Sequence, residues 1–387
     1  MASWIDGISF PLPEDVLLAQ ETARNFAESE IKPLAAKIDH EHYYPEEIIQ
    51  KLGQLGFLGI TVPAKYSGSE LSYTAYALII EELAAACAST SVIVSAHNSL
   101  CLWPINEFGT EEQKLKFIPP LATGANIGCF ALSEPGTGSD AACLTCTATK
   151  RGDEYVINGT KNWITNAPVA STCVLFTMQD ASKGNKGITA FVHPMNLKGI
   201  SRGKKENKLG ICGSPTASIM YDNVLLTKEH LLGEELKGFK VAMSTLNGGR
   251  IGIASQAVGI ARSALSDALR YSKERKTFGK FLHEHQSIQN YLADMVTQID
   301  AARYLAIGAA ILKDGGKPYA RQAAQAKLFA SEIAMAAANK GIQIHGGYGY
   351  VKEFPAERHL RDAKITEIYE GTSEIQRIVI ASHLAGE

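Results

Sequence analysis

The pattern of apolar and polar positions divides the 387-residue chain into three stretches. Through the first third, apolar residues recur every three or four positions, the period of an amphipathic helix. Pro13-Glu14-Asp15 opens one such segment, with Val16, Ala19, Ala23, Phe26 and Ala27 on one face. A second helix is predicted from Pro45 to Gly53 or Gly56, and a third from about Ser72 to Ala88. Thr110 and Gln113 have capping-box spacing for a further short helix, which Pro119-Pro120 should end. From about Asn126 the period shortens to that of strands, over residues 127–132, 155–157, 161–164, 173–177, 188–192 and 217–221. Asn158-Gly159 between two of these reads as a primed hairpin turn. From Phe239 the helical period returns. Residues 250–271 are rich in Gly and Ala, which permits close backbone contact with a neighbour. Ile288, Leu292, Met295, Ile299, Ala302 and Ala306 mark one face of a long helix ended by Gly315-Gly316, and the Ala-rich segment 319–340 makes its antiparallel partner. The expected fold is a multidomain α+β chain. It has an N-terminal helical domain (1–123), a middle β-domain (124–234) and a C-terminal four-helix bundle (235–387).

Composition narrows the function classes. The net charge is −2 with 20% charged residues, so there is no electrostatic footprint for nucleic acid. No apolar run reads as long enough to span a membrane, and no membrane insertion is expected. The start, Met1-Ala2-Ser3-Trp4-Ile5-Asp6, has the features of neither a signal nor a transit peptide. Seven cysteines, an odd number in a long chain, argue against a disulfide framework. The expected compartment is a bacterial cytoplasm, or the mitochondrial matrix if a transit peptide has been removed.

Candidate chemistry concentrates where helical periodicity breaks. Residues 362–368 can be helical, and Ser373 and Gln376 have capping-box spacing ahead of Ile375, Ile378 and Val379. Glu370 stands between, beside Gly371, which lets the backbone turn close to a ligand. A carboxylate there is free of the helical ladder and next to unpaired N–H groups. Ser133-Glu134-Pro135-Gly136-Thr137-Gly138-Ser139-Asp140 follows directly on a strand and offers backbone N–H groups to an anion or polar ring. Trp163-Ile164-Thr165 sets an aromatic near a hydroxyl, in a core position or as a stacking wall. Gln343-Ile344-His345-Gly346-Gly347 breaks the Ala-rich helix. His345 has no second His or Cys at ligand spacing, so no metal is expected.

Taken together, these motifs resemble the acyl-CoA dehydrogenases, and among them the short-chain (butyryl-CoA) members. The resemblance runs the full length. It rests on residues 130–140, Trp163-Ile164-Thr165, Arg275 with Phe278, Gly279 and Gln286, residues 343–347, and Ile368-Tyr369-Glu370-Gly371-Thr372-Ser373-Glu374. It implies FAD as cofactor. Phe130, Ala131, Leu132, Ser133, Gly138, Ser139, Trp163, Ile164 and Thr165 would hold the flavin ring and ribityl chain. Thr372, Ser373 and Glu374 would approach its phosphates or nearby polar groups. Arg275, Phe278, Gln286, Gln343, Ile344, His345, Gly346 and Gly347 would reach the adenine and diphosphate from a neighbouring subunit of a homotetramer, a dimer of dimers. Glu370 would be the base that takes the α-proton of a short-chain acyl-CoA. Ser139, Asn247, Gly248, Gly249, Arg250, Gln256, Thr366, Tyr369 and Gly371 would contact the substrate, with Gln256 and Thr366 closing a short acyl slot. Trp103, where the family commonly has a small residue, is either a further constriction or a structural residue. Electrons would pass to an electron-transferring flavoprotein.

The chain departs from the family at Asn247, usually Asp, at Phe281, usually Pro, at His285, often Phe, and over Tyr66 to Leu71. These bear on substrate identity and affinity. Two alternatives share the scaffold: an enoyl-CoA reductase running the reaction backwards, and a non-catalytic assembly factor, which retention of Glu370 and the flavin motifs disfavours.

Overall fold

The computed structural model describes residues 11–386; the first residues of the chain, read above for targeting signals, lie outside them. The N-terminal layer is helical: α1 (Glu14–Phe26), α2 (Ala35–His40), α3 (Glu46–Gln54), α4 (Tyr73–Ala86), α5 (Ala88–Ser95), α6 (Trp103–Phe108) and α7 (Glu111–Ala122). A π-helical turn, Ala96–Leu102, joins α5 to α6. The sequence reading passed over this run because it has no polar face: every residue from Ala88 to Leu102 is buried. The Thr110–Gln113 capping box starts α7 as expected. The helix then continues through Pro119 and Pro120, contrary to expectation. The prolines fall in its last turn: each removes an N–H donor to the carbonyl four residues before it, while their own carbonyls still accept from Thr123 N–H and Asn126 N–H at 3.1 and 2.8 Å.

The middle sheet contains β1 (Gly128–Ala131), β2 (Thr147–Arg151), β3 (Glu154–Thr165), β4 (Thr172–Met178), β5 (Ile188–Pro194), β6 (Ile200–Arg202) and β7 (Thr216–Thr227). Its strand order is β1-β4-β2-β3-β7-β6, with β5 also paired to β4. The expected hairpin at Asn158-Gly159 is absent. Residues 154–165 form one strand, and the dipeptide is a register shift against β7. A side chain at 159 would lie 2.6 Å from Cys146 Cα, so glycine is there for close strand approach and not for a turn.

The C-terminal domain is a bundle of α8 (Gly238–Glu274), α9 (Gln286–Asp314) and α10 (Ala320–His345), completed by α11 (Ala356–Lys364) and α12 (Ser373–Ala385). Between α8 and α9 lies a small hairpin, β8 (Lys276–Thr277) with β9 (Lys280–Phe281). Among the described residues α9 is long and apolar enough by composition to cross a membrane, a property the sequence reading did not credit. Its Met295, Ile299, Ala302 and Ala306 are buried in the bundle core, which accounts for that composition.

The 37-residue α8 is the spine, packing against α4, α5, β5, α9 and α10. Its small residues do the work expected of them. A Cβ at Gly252 would sit 2.2 Å from the Tyr76 hydroxyl, so α4 and α8 could not approach so closely with any larger residue there. At the same interface Glu81 and Glu82 of α4 are buried and receive cations from three helices. Arg262 of α8 bridges both carboxylates, Arg303 of α9 binds Glu81 at 2.9 Å, and Arg24 of α1 binds Glu82 at 3.1 Å. Against the upward pull of burial, Arg262 and Arg24 bring the Glu82 carboxyl down to about 2. Its stabilising contribution is therefore present above the ordinary carboxylate pKa and lost only as pH falls toward 2. Arg262→Met leaves two buried carboxylates short of their shared cation. It should destabilise the fold by about 3–5 kcal/mol, read as a lowered midpoint in denaturant melts at fixed protein concentration.

Candidate active site

After α11 a 3-10 turn covers Ile365–Glu367, and α12 begins at Ser373. The break between them holds Glu370 at φ +53° and Gly371 at φ +93°. A left-handed non-glycine residue costs roughly 1–2 kcal/mol, so the surroundings must hold it. They do: Gln376 Nε2 donates to Glu370 O at 3.2 Å and to Gly371 O at 2.8 Å, and Lys327 Nζ donates to Gly371 O at 2.7 Å. This corrects the expected capping box. Thr372 caps α12, its Oγ1 accepting from Ile375 N–H at 3.3 Å, while Gln376 turns back to brace the break.

The bend drives the Glu370 side chain onto the glycine face of α8. A Cβ at Gly249 would be 2.0 Å from Glu370 Oε2, so glycine is what admits the carboxylate. Oε2 is buried and has no hydrogen-bond partner. Desolvation pushes the group up to about 8, against the opposing pulls of Lys327 and Arg250. A carboxylate left unpaired in a buried cleft marks a functional position.

Glu370 lies on the wall of a cavity of about 320 Å³. The end of β1 gives Phe130, Leu132 and Ser133, the following loop gives Gly138 to Ala142, and the end of β3 gives Trp163, Ile164 and Thr165. Opposite them stand Arg250 of α8 and, from the break before α12, Tyr369 and Gly371. The loop is pinned from below by a fully buried ion pair: Lys161 Nζ donates to Glu134 at 2.7 Å and to Leu132 O at 3.0 Å. Glu134 in turn accepts from Thr145 N–H and Cys146 N–H at 2.6 and 3.0 Å. Trp163 sits at φ +54° with 57% of its surface exposed, so it is a wall and not a core residue.

The expected substrate contacts divide. Arg250, Tyr369, Gly371 and Ser139 line the cavity; Asn247, Gly248 and Gly249 do not. Asn247 Oδ1 accepts from Arg250 at 2.7 Å, and Gly248 packs under the Tyr73 hydroxyl. Thr366 does not reach the cavity. The 3-10 turn takes it off the face that a regular helix would share with Glu370, and its hydroxyl donates to Ala363 O at 2.7 Å. Gln256 acts one layer back: its Oε1 accepts from the Tyr369 hydroxyl, its Nε2 donates to Ala88 O at 3.0 Å, and Tyr369 forms the wall. Trp103 also lies outside the cavity lining, edge-on to Phe108. Ala131 is buried within β1 and does not line the cavity, and Thr372, Ser373 and Glu374 are not part of the lining either. Sequence reasoning missed Val92, Ala96 and Leu100 from the wholly buried helical run, and Phe239, Met243 and Leu246 of α8. The i, i+4, i+7 spacing of the last three was the available signal, and it reads equally well as core.

A second cavity of about 550 Å³ gathers Arg275 with Gln343, Ile344, His345, Gly346 and Gly347. His345 is structural, stacked on Tyr271 at 4.5 Å with Nδ1 2.7 Å from Gly341 O. Phe278 and Gln286 are not part of this lining; Phe278 is 97% exposed. The first cavity suits a flat, polar-edged ring: exposed indole on one side, strand-end and loop backbone beside it, and a buried, unpartnered carboxylate facing in.

This arrangement of helical, β and helical domains around a carboxylate-bearing cleft matches family models for the N-terminal (residues 13–125), middle (129–224) and C-terminal (236–385) domains of acyl-CoA dehydrogenase. The chain belongs to that family. It is 53% identical over 376 residues to the mitochondrial short-chain specific acyl-CoA dehydrogenase of Mus musculus, covering 97% of this chain and 91% of that one. Butyryl-CoA dehydrogenase from Megasphaera elsdenii superposes with a TM-score of 0.95 at 46% identity, over 98% of this chain and 100% of the other. A chain solved in work on the electron transferring flavoprotein of Acidaminococcus fermentans gives 0.96 at 46% identity, over the same 98% and 100%.

The raised Glu370 pKa has a thermodynamic consequence. Holding the charge in place costs nothing below the ordinary carboxylate pKa near 4.5 and its full amount above about 8. Glu370→Gln should therefore raise the melting temperature at pH 9 and change it little at pH 5. An equal shift at both pH values would show that the carboxyl is not desolvated.

Proposed function

We propose that the chain catalyses FAD-dependent α,β-dehydrogenation of a short-chain acyl-CoA to the trans-2-enoyl-CoA, with Glu370 as the base and an electron-transferring flavoprotein as the acceptor. The observation that carries this reading is the Glu370 carboxylate, whose Oε2 is buried and unpaired, on the wall of a cavity shared with Trp163 and the 130–142 segment. FAD supplies the two-electron acceptor for the β-hydrogen. Phe130, Leu132, Ser133, Trp163, Ile164 and Thr165 would bound its ring. Glu370 takes the α-proton, and its desolvation gives it the basicity that an ordinary carboxylate lacks for so weak a carbon acid. The Glu370 N–H, in the break between helices, would donate to the thioester oxygen as negative charge builds there. Arg250, buried and held by Asn247, sets a positive charge near Glu370 and would favour negative charge on this oxygen.

The tetramer is part of the same reading. Arg275 and residues 343–347 share no cavity with Glu370, and Phe278, Tyr348 and Tyr350 near them are 97%, 51% and 85% exposed. Aromatics so exposed are suited to cover by another subunit, whose FAD diphosphate and adenine Arg275 would then meet. A reducing cytoplasm accords with the chemistry of the cysteines, all seven of which are free.

Glu370→Gln should keep FAD and tetramer while losing about 100- to 10 000-fold in turnover. Anaerobic bleaching of the flavin by butyryl-CoA measures this, and bleaching at the wild-type rate would remove Glu370 from its role. Arg275→Ala should speed FAD dissociation severalfold while leaving single-turnover reduction of loaded enzyme nearly unchanged. Equal FAD retention would make Arg275 a surface charge. The cavity of about 320 Å³ must hold both ring and acyl chain, and Tyr369 braced by Gln256 narrows it. Butyryl-CoA should accordingly exceed octanoyl- and palmitoyl-CoA in kcat/KM, and octanoyl-CoA matching it would refute the short slot.

A further inference from the structure

Lys327 lies on α10, fully buried, with no carboxylate bonded to it. A lysine ammonium in that position is costly unless it serves a purpose. Its hydrogen bond goes to Gly371 O, the carbonyl that follows Glu370 in the break, at 2.7 Å. Gln376, also fully buried, donates to the same carbonyl at 2.8 Å and to Glu370 O at 3.2 Å. Two side chains from two helices thus hold both carbonyls of a left-handed Glu-Gly pair.

We propose that Lys327 is the positioning residue of the base: with Gln376 it clamps the Glu370–Gly371 turn, and its buried cation lowers the cost of ionising Glu370. This inference rests on the reading of Glu370 as the base. The two residues divide the labour. Gln376 contributes geometry only, and Lys327 contributes geometry and charge.

The charges around Glu370 come from every element packed on it. Arg250 from α8 and Lys327 from α10 favour its ionised form. The hydroxyls of Tyr73 and Tyr76 on α4 and of Tyr369 in its own turn are neutral, each held protonated by burial, and Asp140 stands on the loop side of the cavity. Lys327 itself feels Glu370, Glu367 and Glu374 raising its affinity for a proton, while burial and Arg250 lower it, to about 8. Below that pH it is cationic and assists ionisation of Glu370. Removing the cation must move the base's titration upward.

The test is the pH dependence of butyryl-CoA reduction of the FAD-loaded enzyme under anaerobic conditions, with FAD content and oligomeric state checked for each variant. In wild type the rate should rise through an apparent pKa near 8, the value to which burial brings Glu370. Lys327→Met should move that limb up by at least about one unit, so that kcat/KM at pH 7 falls about tenfold or more and recovers partly at high pH. Lys327→Arg should return the limb toward the wild-type position. Gln376→Met, which leaves the cation in place, should lower kcat severalfold with KM and limb unmoved. A Lys327→Met limb that coincides with wild type would reduce Lys327 to core packing and overturn the proposal. Should Lys327→Met give no folded holoenzyme, Gln376→Met and Lys327→Arg decide. An unchanged kcat in the first, or a limb displaced upward in the second despite its retained charge, overturns the clamp. If instead Glu370→Gln still turns over, the reading of the base fails first, and independently of these variants.

Discussion

The active cleft depends on one constraint: a helix must stop and restart so that a carboxylate can be pressed, unpaired, against a glycine of another helix. Three costs meet at Glu370. The backbone is left-handed, the side chain is desolvated, and α8 must offer no Cβ at position 249. None is recovered locally. They are met by bonds from α10 and α12 to the turn and by the packing that keeps α8 in place. Strain of this kind persists only where the surroundings over-determine it.

That explains why the rest of the molecule is so firmly riveted. α8 enters from the sheet, passes Arg250 and Gly249 at the cleft, and only then joins the bundle core. A displacement of about an ångström along its axis would withdraw the glycine from the carboxylate. The buried Glu81–Glu82 cluster, tied to Arg24, Arg262 and Arg303, fixes α4 against α8 and α9. The Lys161–Glu134 pair fixes the opposite wall in the same manner. Buried ion pairs seldom add much net stability over apolar packing, but their directional bonds specify one arrangement. In this cleft, register matters more than total free energy.

The legibility of all this in the sequence follows the physics of each signal. The helices with one apolar face were readable, as were β1, β4 and β5, because periodicity and apolar runs record what is buried; β2 and β6, short and largely exposed, were missed. The run from Ala88 to Leu102 was not, since a helix buried all round has no period to detect. Asn158-Gly159 misled because the same dipeptide serves a tight turn and a tight strand contact, and only the tertiary neighbour Cys146 distinguishes them. The break around Glu370 was visible from its glycine, yet the bracing by Lys327 was not, because it comes from 44 residues away along the chain. Thr366 was misassigned by four-residue helical spacing across a segment that tightens to 3-10 geometry. Motif resemblance singled out Trp163 and the loop after β1, whose local pattern was ambiguous and which line the cavity. It could not supply the orientation of side chains behind the wall, such as Gln256 behind Tyr369.

The departure at Asn247 gains meaning in the same terms. Its amide oxygen holds Arg250 at 2.7 Å without adding a charge, and Arg250 Nε stays buried with no partner. An aspartate at 247 would accept the same bond and neutralise much of the guanidinium's field. With asparagine the full positive charge remains directed at the cleft, where it favours ionised Glu370 and any oxyanion forming beside it. Burial already opposes that ionisation strongly, so each uncompensated cation counts. The substitution therefore shifts the balance between desolvation and attraction at Glu370 without touching Glu370 itself. Such a position can alter the pH at which a dehydrogenase works while leaving its fold, cofactor and stereochemistry as they were.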